Sequence, residues 1–386
     1  MKELCAEHLC TSCKACLAVC PINCIQIIYT PEGEERFRID SNRCLKCGKC
    51  ANVCQGLNLP AFHSVNVCLA ARTKDESIYN NSSSGGIATL LSNIILKKNG
   101  VVYGAANFGE ITEHIRVDEK KLLDSLSGSK YVRSNMEHVF KLIGQDLRNE
   151  KNILFIGTPC QVAAIKKLYG DKENLYTIDL ICHGTPPTRQ WEDHLKELFG
   201  ASFLKKNIDK KVEFRKKDYV LKVILEKQTI YEKKWFRDTY YSAFMYGLNF
   251  YEKCYNCPYA QEKRVGDITV GDFWGLDKAT VKKELKNSNY ISLVLLNTEK
   301  GKQLWGEGSK YVYSQERKLD EAIEGNTQLR HPTIRVKDRD KFLNIYSGNN
   351  FSYAVKHTFI KHIMIKEAIK EILKIPYRIV RDLIGG

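Results

Sequence analysis

Cysteine dominates the chemistry open to this chain. Cys10, Cys13, Cys16 and Cys20 follow the spacing C-x2-C-x2-C-x3-C with Pro21 next, and Cys44, Cys47, Cys50 and Cys54 repeat it. The short x2 steps wrap the backbone round one cube of iron and sulfide and place three thiolates on it. The fourth cysteine, displaced by x3, reaches the neighbouring cube. The spacing therefore predicts one 4Fe-4S cluster on Cys10, Cys13, Cys16 and Cys54, and a second on Cys44, Cys47, Cys50 and Cys20. Structural zinc also uses C-x2-C pairs, but two four-cysteine runs with Pro21 and crossed fourth ligands do not fit that pattern. Gln55 stands where a second proline would complete the repeat, a departure expected to alter the loop rather than the ligation. Cys5 and Cys24 are left over and read as buried thiols.

Four more cysteines lie far along the chain: Cys160, Cys182 and the pair Cys254 and Cys257, followed by Pro258. Their number suits one further cubane. On spacing alone, isolated buried thiols fit equally well.

The elements that would position these residues are legible in outline. Cys24 to Tyr29 and Glu35 to Ile39 read as short strands joined at Pro31 to Gly33, followed by a connection over Leu57 to Val67. Ser82-Ser83-Ser84-Gly85-Gly86 precedes an apolar-periodic helix from Ile87 to Lys98; such a start exposes N–H groups suited to a phosphate, and a plain capping loop is the alternative. Val101 to Phe108, Asn152 to Ile156 and Leu175 to Ile181 read as strands, with helices at Met136 to Asn149 and Gln161 to Leu168. Cys160 and Cys182 then follow strand ends, where open sheets place ligand sites. Val212 to Arg215, Val220 to Glu226 and Thr229 to Lys233 read as an antiparallel insertion, and Asp267 to Val270 as another strand.

The fold class expected is α+β and α/β: a small bacterial-ferredoxin-like domain over residues 1–60, a larger mixed-sheet domain over 68–335, and a basic amphipathic helical tail over 336–386. In that tail, Phe359, Ile360, Ile363, Met364, Ile369, Ile372 and Leu373 alternate with Lys356, Lys361, Lys366, Lys370, Lys374, Arg378 and Arg381. This pattern suits an anionic membrane face, a partner, or the protein's own body, and Pro376 is expected to end or bend the helix.

With 386 residues, 43% of them hydrophobic, the chain is long enough for two or three domains with real cores. No apolar run approaches the roughly 18 residues that cross a bilayer, and no secretory segment precedes the first cysteines, so a cytoplasmic location is expected, with peripheral contact at the inner membrane face through the tail. In that compartment fifteen cysteines read as metal ligands rather than disulfides. The formal charge of +15 falls to about +9 if three clusters each bring roughly −2. Part of the basicity is thus cluster compensation, and no nucleic-acid-binding fingerprint accompanies it.

Six motifs, between Ala71 and Lys278, resemble the coenzyme F420 hydrogenase/dehydrogenase beta-subunit family, here joined to a two-cluster ferredoxin module. They are Ser83-Ser84-Gly85-Gly86-Ile87-Ala88-Thr89, Gly128-Ser129-Lys130-Tyr131, Gly157-Thr158-Pro159-Cys160-Gln161, Cys182-His183-Gly184, Cys254-x2-Cys257-Pro258 and Gly271-Asp272-Phe273-Trp274-Gly275. The resemblance implies FAD and a third 4Fe-4S cluster beside it on Cys160, Cys182, Cys254 and Cys257. It assigns Ser84, Gly85, Gly86, Ile87, Thr89, Ser129, Lys130 and Tyr131 to FAD, with Arg72 as a further candidate. Asp272 and Trp274 could shape a substrate pocket or deliver a proton, against a turn aspartate and a core tryptophan. His183 could donate a proton or orient the cluster loop.

The function expected is an iron-sulfur flavoprotein oxidoreductase. Single electrons would pass between a partner redox protein and FAD, and hydride between FAD and a small organic substrate. Relatives of this kind act on a deazaflavin coenzyme and on chlorophyll derivatives, and some accompany glycan-building enzymes, so a glycan- or lipid-pathway substrate is a second expectation. The rival reading is an electron-transfer subunit without chemistry of its own.

Overall fold

In the N-terminal module both cysteine runs adopt the same backbone. Ser12 and Lys14 in the first run, and Lys46 and Gly48 in the second, take positive φ between 52° and 72°. These left-handed residues turn successive cysteines toward one side before the short helices Ala15–Val19 and Lys49–Val53 begin. Cys20 and Cys54 close those helices in extended conformation. The strands Ile25–Tyr29 and Glu35–Ile39 pair antiparallel between the runs, as the alternation of their residues predicts.

The computed structural model describes residues 2–205, 209–216 and 218–384, with side chains except at 2, 3, 7 and 374–384. The larger part of the protein is a mixed eight-stranded sheet. In spatial order the strands are Val312–Glu316, Val67–Thr73, Ser292–Leu296, Ile268–Asp272, Leu175–Leu180, Ile153–Gly157, Val101–Phe108 and Ile111–Val117. The four from Ile268–Asp272 to Val101–Phe108 run parallel, and every other pairing is antiparallel.

Period-two alternation sends Val102, Leu154 and Ile178 to one face, against the helices Ile87–Lys97 and Glu299–Gly308. Tyr103, Ile153, Phe155 and Leu175 face the other way, toward Glu137–Arg148 and Pro159–Tyr169. Pro159 at the first turn and a Thr158/Gln161 capping box start the latter helix directly after the strand ending at Gly157. The observed strands and helices match the expected ones to within one or two residues at most ends. The strands Val67–Thr73, Ile111–Val117, Ser292–Leu296 and Val312–Glu316 go beyond the expected set; Ile111–Val117 forms a hairpin with Val101–Phe108, and the other three join the sheet only through long-range pairing.

The antiparallel insertion forms its own sheet from Lys210–Glu213, Val220–Leu225 and Gln228–Lys234. Beside it lies a second core of Trp191, Phe214, Tyr240, Tyr241, Phe342, Phe351, Val355 and Ile360. Of the alternatives open to the basic segment 336–386, its first part takes the protein's own body. Arg339–Tyr346 and Phe351–Lys356 are packed helices of the body, because their aromatic residues complete that core. The helix Ile360–Ile384 follows and continues through Pro376, against the expected break. The side chains of Lys374, Arg378 and Arg381 lie outside the described residues. Among the described residues no helix is long and apolar enough to cross a membrane.

His114 is a buried histidine of the sheet. Its ring nitrogens lie 2.8 Å from Ser134 Oγ and 3.0 Å from the Ile156 carbonyl oxygen, and its ring stacks on Phe155. Burial pulls its pKa from 6.5 down to about 4. Between those values the unfolded chain holds a proton that the folded chain does not, so this contribution is complete above pH 6.5 and is lost as pH falls toward 4. The full loss amounts to roughly 3 kcal/mol. Denaturant unfolding of the wild type and of His114→Phe should show their stability difference shifting in favour of the variant across this window; a pH-independent difference would contradict the assignment.

Candidate functional site

Two cavities in the N-terminal module sort the cysteines. Cys10, Cys13, Cys16 and Cys54 line one, together with Cys5, Arg36 and Gln55. Cys20, Cys44, Cys47 and Cys50 line the other, together with Cys24 and Leu45. The crossed grouping expected from the x3 step is therefore the spatial grouping. Cys5 and Cys24 each adjoin one of the sets, whereas Cys68, the third cysteine outside the expected cluster sets, is buried in a separate core with Phe273, Val281 and Leu285. Cys5 hydrogen-bonds with the Cys10 and Cys54 sulfurs, which lowers their pKa values to about 7 and about 6, and Cys24 Sγ is 3.5 Å from Cys20 Sγ. Their spacing from the repeats carries no signal of this.

The third set is assembled from distant segments at one edge of the sheet. Cys160 follows the strand ending at Gly157, Cys182 follows the strand ending at Leu180, and both strands present their carboxyl ends there. Cys254 and Cys257 come from a short turn, Glu252–Asn256, and the residue after it. The four thiols interact: burial, followed by the charges of Cys254, Cys160 and Cys257, drives the Cys182 pKa well up. Burial similarly raises Cys254 to about 12 and Cys257 to about 11. Burial this deep favours the protonated thiols, and to hold all four as thiolates would require cationic compensation.

The loop that brings Cys257 there is pinned by Arg264. Its guanidinium is buried and donates to Thr269 Oγ1 and to the carbonyls of Tyr259, Gln261 and Leu180 at 3.1 to 3.4 Å. It also pairs with Asp179 at 3.3 Å, while the other Asp179 oxygen accepts the N–H groups of Val265 and Gly266.

Gln55 explains its own departure from the repeat. It is buried, its amide nitrogen donates to the Cys160 carbonyl at 2.7 Å, and its carbonyl accepts from Tyr259 O–H at 2.5 Å. A proline there would provide neither contact. Arg133 spans the same seam, donating to the Thr11 carbonyl on one side and to Cys160 Sγ, at 3.4 Å, on the other. Thr185 Oγ1 and Arg133 Nε are buried without protein partners, and both belong to segments that contact these sulfurs. Such unpaired donors fit inorganic sulfide. Among the described residues no three cysteine, histidine or acidic side chains close on a single metal ion, and a cubane takes a wider ligand set than one ion does.

Next to Cys182, His183 leads to a cluster of polar residues that includes Asp272. Thr73, at the end of its strand, donates its N–H to the Gly85 carbonyl, and a Cβ at Gly85 would meet the Ala71 carbonyl oxygen at 2.4 Å. Gly86, at φ +79°, starts the helix Ile87–Lys97 with no side-chain cap, so the N–H groups of the first turn, Ile87 to Thr89, are left uncapped. Ser84 Oγ lies 3.1 Å from Ser292 Oγ. Ser129 reaches the same loop through Ser83, at 3.0 and 3.1 Å. Asp272 accepts two hydrogen bonds from Arg215, at 2.6 and 3.2 Å, and the Arg215 guanidinium lies over the Tyr219 and Trp274 rings. Trp274 is 44% exposed and so is not a core residue. Burial lowers the His183 pKa, with the Asp272 charge opposing it.

Three further expected site residues make contacts with the protein itself. Lys130 folds back onto the carbonyls of Leu126, Ser127 and Gly128 at 2.7 to 3.1 Å, because the turn before it leaves those oxygens unpaired. Tyr131 stacks on Phe244 with centroids 4.1 Å apart. Arg72 pairs with Glu76 and lies over the Tyr79 ring. Arg215 is the residue of this cluster that sequence reasoning missed; it sits two residues past the insertion strand Lys210–Glu213, where nothing in its neighbours marks it.

Residues 150–322 match the family described as coenzyme F420 hydrogenase/dehydrogenase, C terminus of the beta subunit, and residues 9–55 match the 4Fe-4S dicluster domain. The chain joins these two domains. It is thus an iron-sulfur protein related to F420 hydrogenase beta subunits. An uncharacterised protein of Methanocaldococcus jannaschii is 23% identical over 45% of this chain and 56% of its own length. A subunit I of NADH-quinone oxidoreductase from Symbiobacterium thermophilum is 34% identical over 16% of this chain and 28% of its own. The chain thus spans about half, or less, of these relatives. A chain of the F420-reducing [NiFe] hydrogenase complex from Methanosarcina barkeri aligns with a TM-score of 0.42 and 17% identity, over 70% of this chain and 92% of its own.

Replacing Arg264 with Met should destabilise the chain by about 3–5 kcal/mol in denaturant unfolding, because Asp179 is left buried and unpaired. Arg264→Lys should recover little, since a single ammonium cannot serve these spread acceptors. A stability near wild type in either variant would remove Arg264 from its role.

Proposed function

We propose that this protein is an iron-sulfur flavoprotein oxidoreductase that relays single electrons to a flavin site. The observation that carries the reading is the position of the Cys160, Cys182, Cys254 and Cys257 set. It touches the Cys10, Cys13, Cys16 and Cys54 set through Gln55 and Arg133, and continues through Cys182-His183 to the polar cluster of Asp272 and Arg215. Three 4Fe-4S clusters on these twelve cysteines would form a continuous path, with Arg36 and Arg133 offsetting their negative charge.

Bound FAD would supply the exchange between one-electron and two-electron chemistry. The uncapped N–H groups at Ile87 to Thr89 suit a diphosphate, with Ser84, Gly85, Gly86 and Ser129 shaping its seat. Tyr131 bounds the cluster on the side of the insertion, and Lys130 supports the loop from behind. Asp272 holds the Arg215 guanidinium, beside which Trp274 offers an exposed ring to a planar substrate. His183 orients the Cys182 loop and is placed to hold a proton near the cluster. The substrate class is an organic hydride acceptor or donor, either a deazaflavin-like coenzyme or a glycan- or lipid-pathway intermediate. The electron partner is a separate redox protein. A cytoplasmic site of action agrees with the reduced thiols this scheme needs. The exposed Ile365, Ile369, Ile372 and Leu373, beside Lys366 and Lys370, suit peripheral attachment to an anionic membrane face.

Anaerobically purified protein should contain about twelve iron and twelve sulfide per chain, together with FAD. Cys257→Ser should reduce iron to about eight while preserving the dicluster signals in electron paramagnetic resonance. Eight iron in the wild type would remove the third cluster, and the absence of flavin would remove the hydride step. Turnover with small hydride donors only after a second protein is added would assign the chain to electron delivery.

A further inference from the structure

Of the fifteen cysteines, Cys47 alone is exposed. It belongs to the Cys20, Cys44, Cys47 and Cys50 set, whereas the other module set is the one that adjoins Cys160. The surroundings of Cys47 have the character of a contact surface. Leu45 is 64% exposed although it also lines the cluster cavity. Gly48 has φ +72°, and a Cβ built on it would meet nothing within 4 Å. Lys46 and Lys49 are exposed and have no carboxylate partner among the described residues. Arg43 is exposed as well, tethered by one hydrogen bond to the Ile22 carbonyl at 3.2 Å. The acidic residue of this stretch, Asp40, accepts the Asn42 N–H in its own turn.

We propose that this rim is the docking surface for an acidic one-electron carrier protein, which exchanges electrons with the chain at Cys47. The inference rests on the electron-relay reading above and names its partner by charge. Leu45 and Gly48 allow close approach over a ligand sulfur. Arg43, Lys46 and Lys49 surround that point with positive charge and steer a negative partner onto it. In the forward sense the carrier would be oxidised by one electron and a cluster held by Cys20, Cys44, Cys47 and Cys50 would be reduced by one, with no bond formed or broken. An acidic carrier accounts for the unpaired lysines, which a neutral or basic partner would leave unused.

The test uses the full chain with its clusters, a reduced plant-type [2Fe-2S] ferredoxin as the acidic probe, and stopped-flow absorbance under anaerobic conditions. The wild-type second-order rate should fall as ionic strength rises. The double variant Lys46→Glu/Lys49→Glu should react at least about tenfold more slowly at low salt and lose that salt dependence. Reversing two exposed lysines at the far edge of the sheet, Lys282→Glu/Lys286→Glu, gives the same net charge and should react at close to the wild-type rate. Excess dithionite should bleach all three proteins to the same extent. Equal rates in wild type and the Lys46/Lys49 variant, or equal slowing in both double variants, would overturn the proposal while leaving the clusters in place. Wild-type protein without bleachable absorbance would instead overturn the relay on which it rests.

Discussion

A single buried guanidinium holds the centre of this molecule together. Arg264 binds the turn after Cys257 to Asp179 and to the end of a central strand, and it does so where water cannot substitute. Cys160 and Cys182 are delivered to the sheet edge by strands, so their positions follow from the fold. Cys254 and Cys257 arrive on an irregular segment, which has no ladder of its own to fix it. Asp179, itself on the strand that leads to Cys182, makes the two halves of the set one rigid unit.

The N-terminal module is joined to this unit by contacts that resemble those of a domain interior. Gln55 and Arg133 meet Cys160, and Lys14 pairs with Glu35 at 3.0 Å and Glu137 at 3.4 Å. Glu34, buried, accepts from Arg36 and from the Glu252 N–H and lies 3.5 Å from Arg339. These links tie the module to the turn of Cys254 and to the C-terminal helices at once. Fixed geometry matters for electron transfer because short jumps between clusters require that neither side drift. It also gives the excess of basic residues a local purpose, since buried clusters are anionic and the arginines at their sides are not free surface charge.

The segment after residue 336 shows what composition leaves open. Its lysines and isoleucines read as an amphipathic tail, yet Phe342, Phe351 and Val355 are buried in the core formed by Trp191 and Tyr240. A helix that fits a membrane surface and one that caps a body share the same periodicity, and the choice between them depends on whether a complementary apolar surface exists elsewhere in the chain.

The twelve cysteines, their crossed grouping in the module, the parallel strands that end at Gly157 and Leu180, and the glycine-led helix start at Gly86 were all legible in sequence. A cube of iron and sulfide spans only a few residues of backbone, and strand and helix periods repeat over short windows, so such features are written locally. The grouping of Cys160, Cys182, Cys254 and Cys257 was suggested by their number and by the family resemblance, not by their spacing; the pairing of Arg215 with Asp272, the inward turn of Lys130 and the bridge made by Gln55 were not legible. Each depends on which side of a strand or loop faces a partner many residues away. Only the closure of the eight-stranded sheet brings those surfaces together and decides which polar group finds its complement.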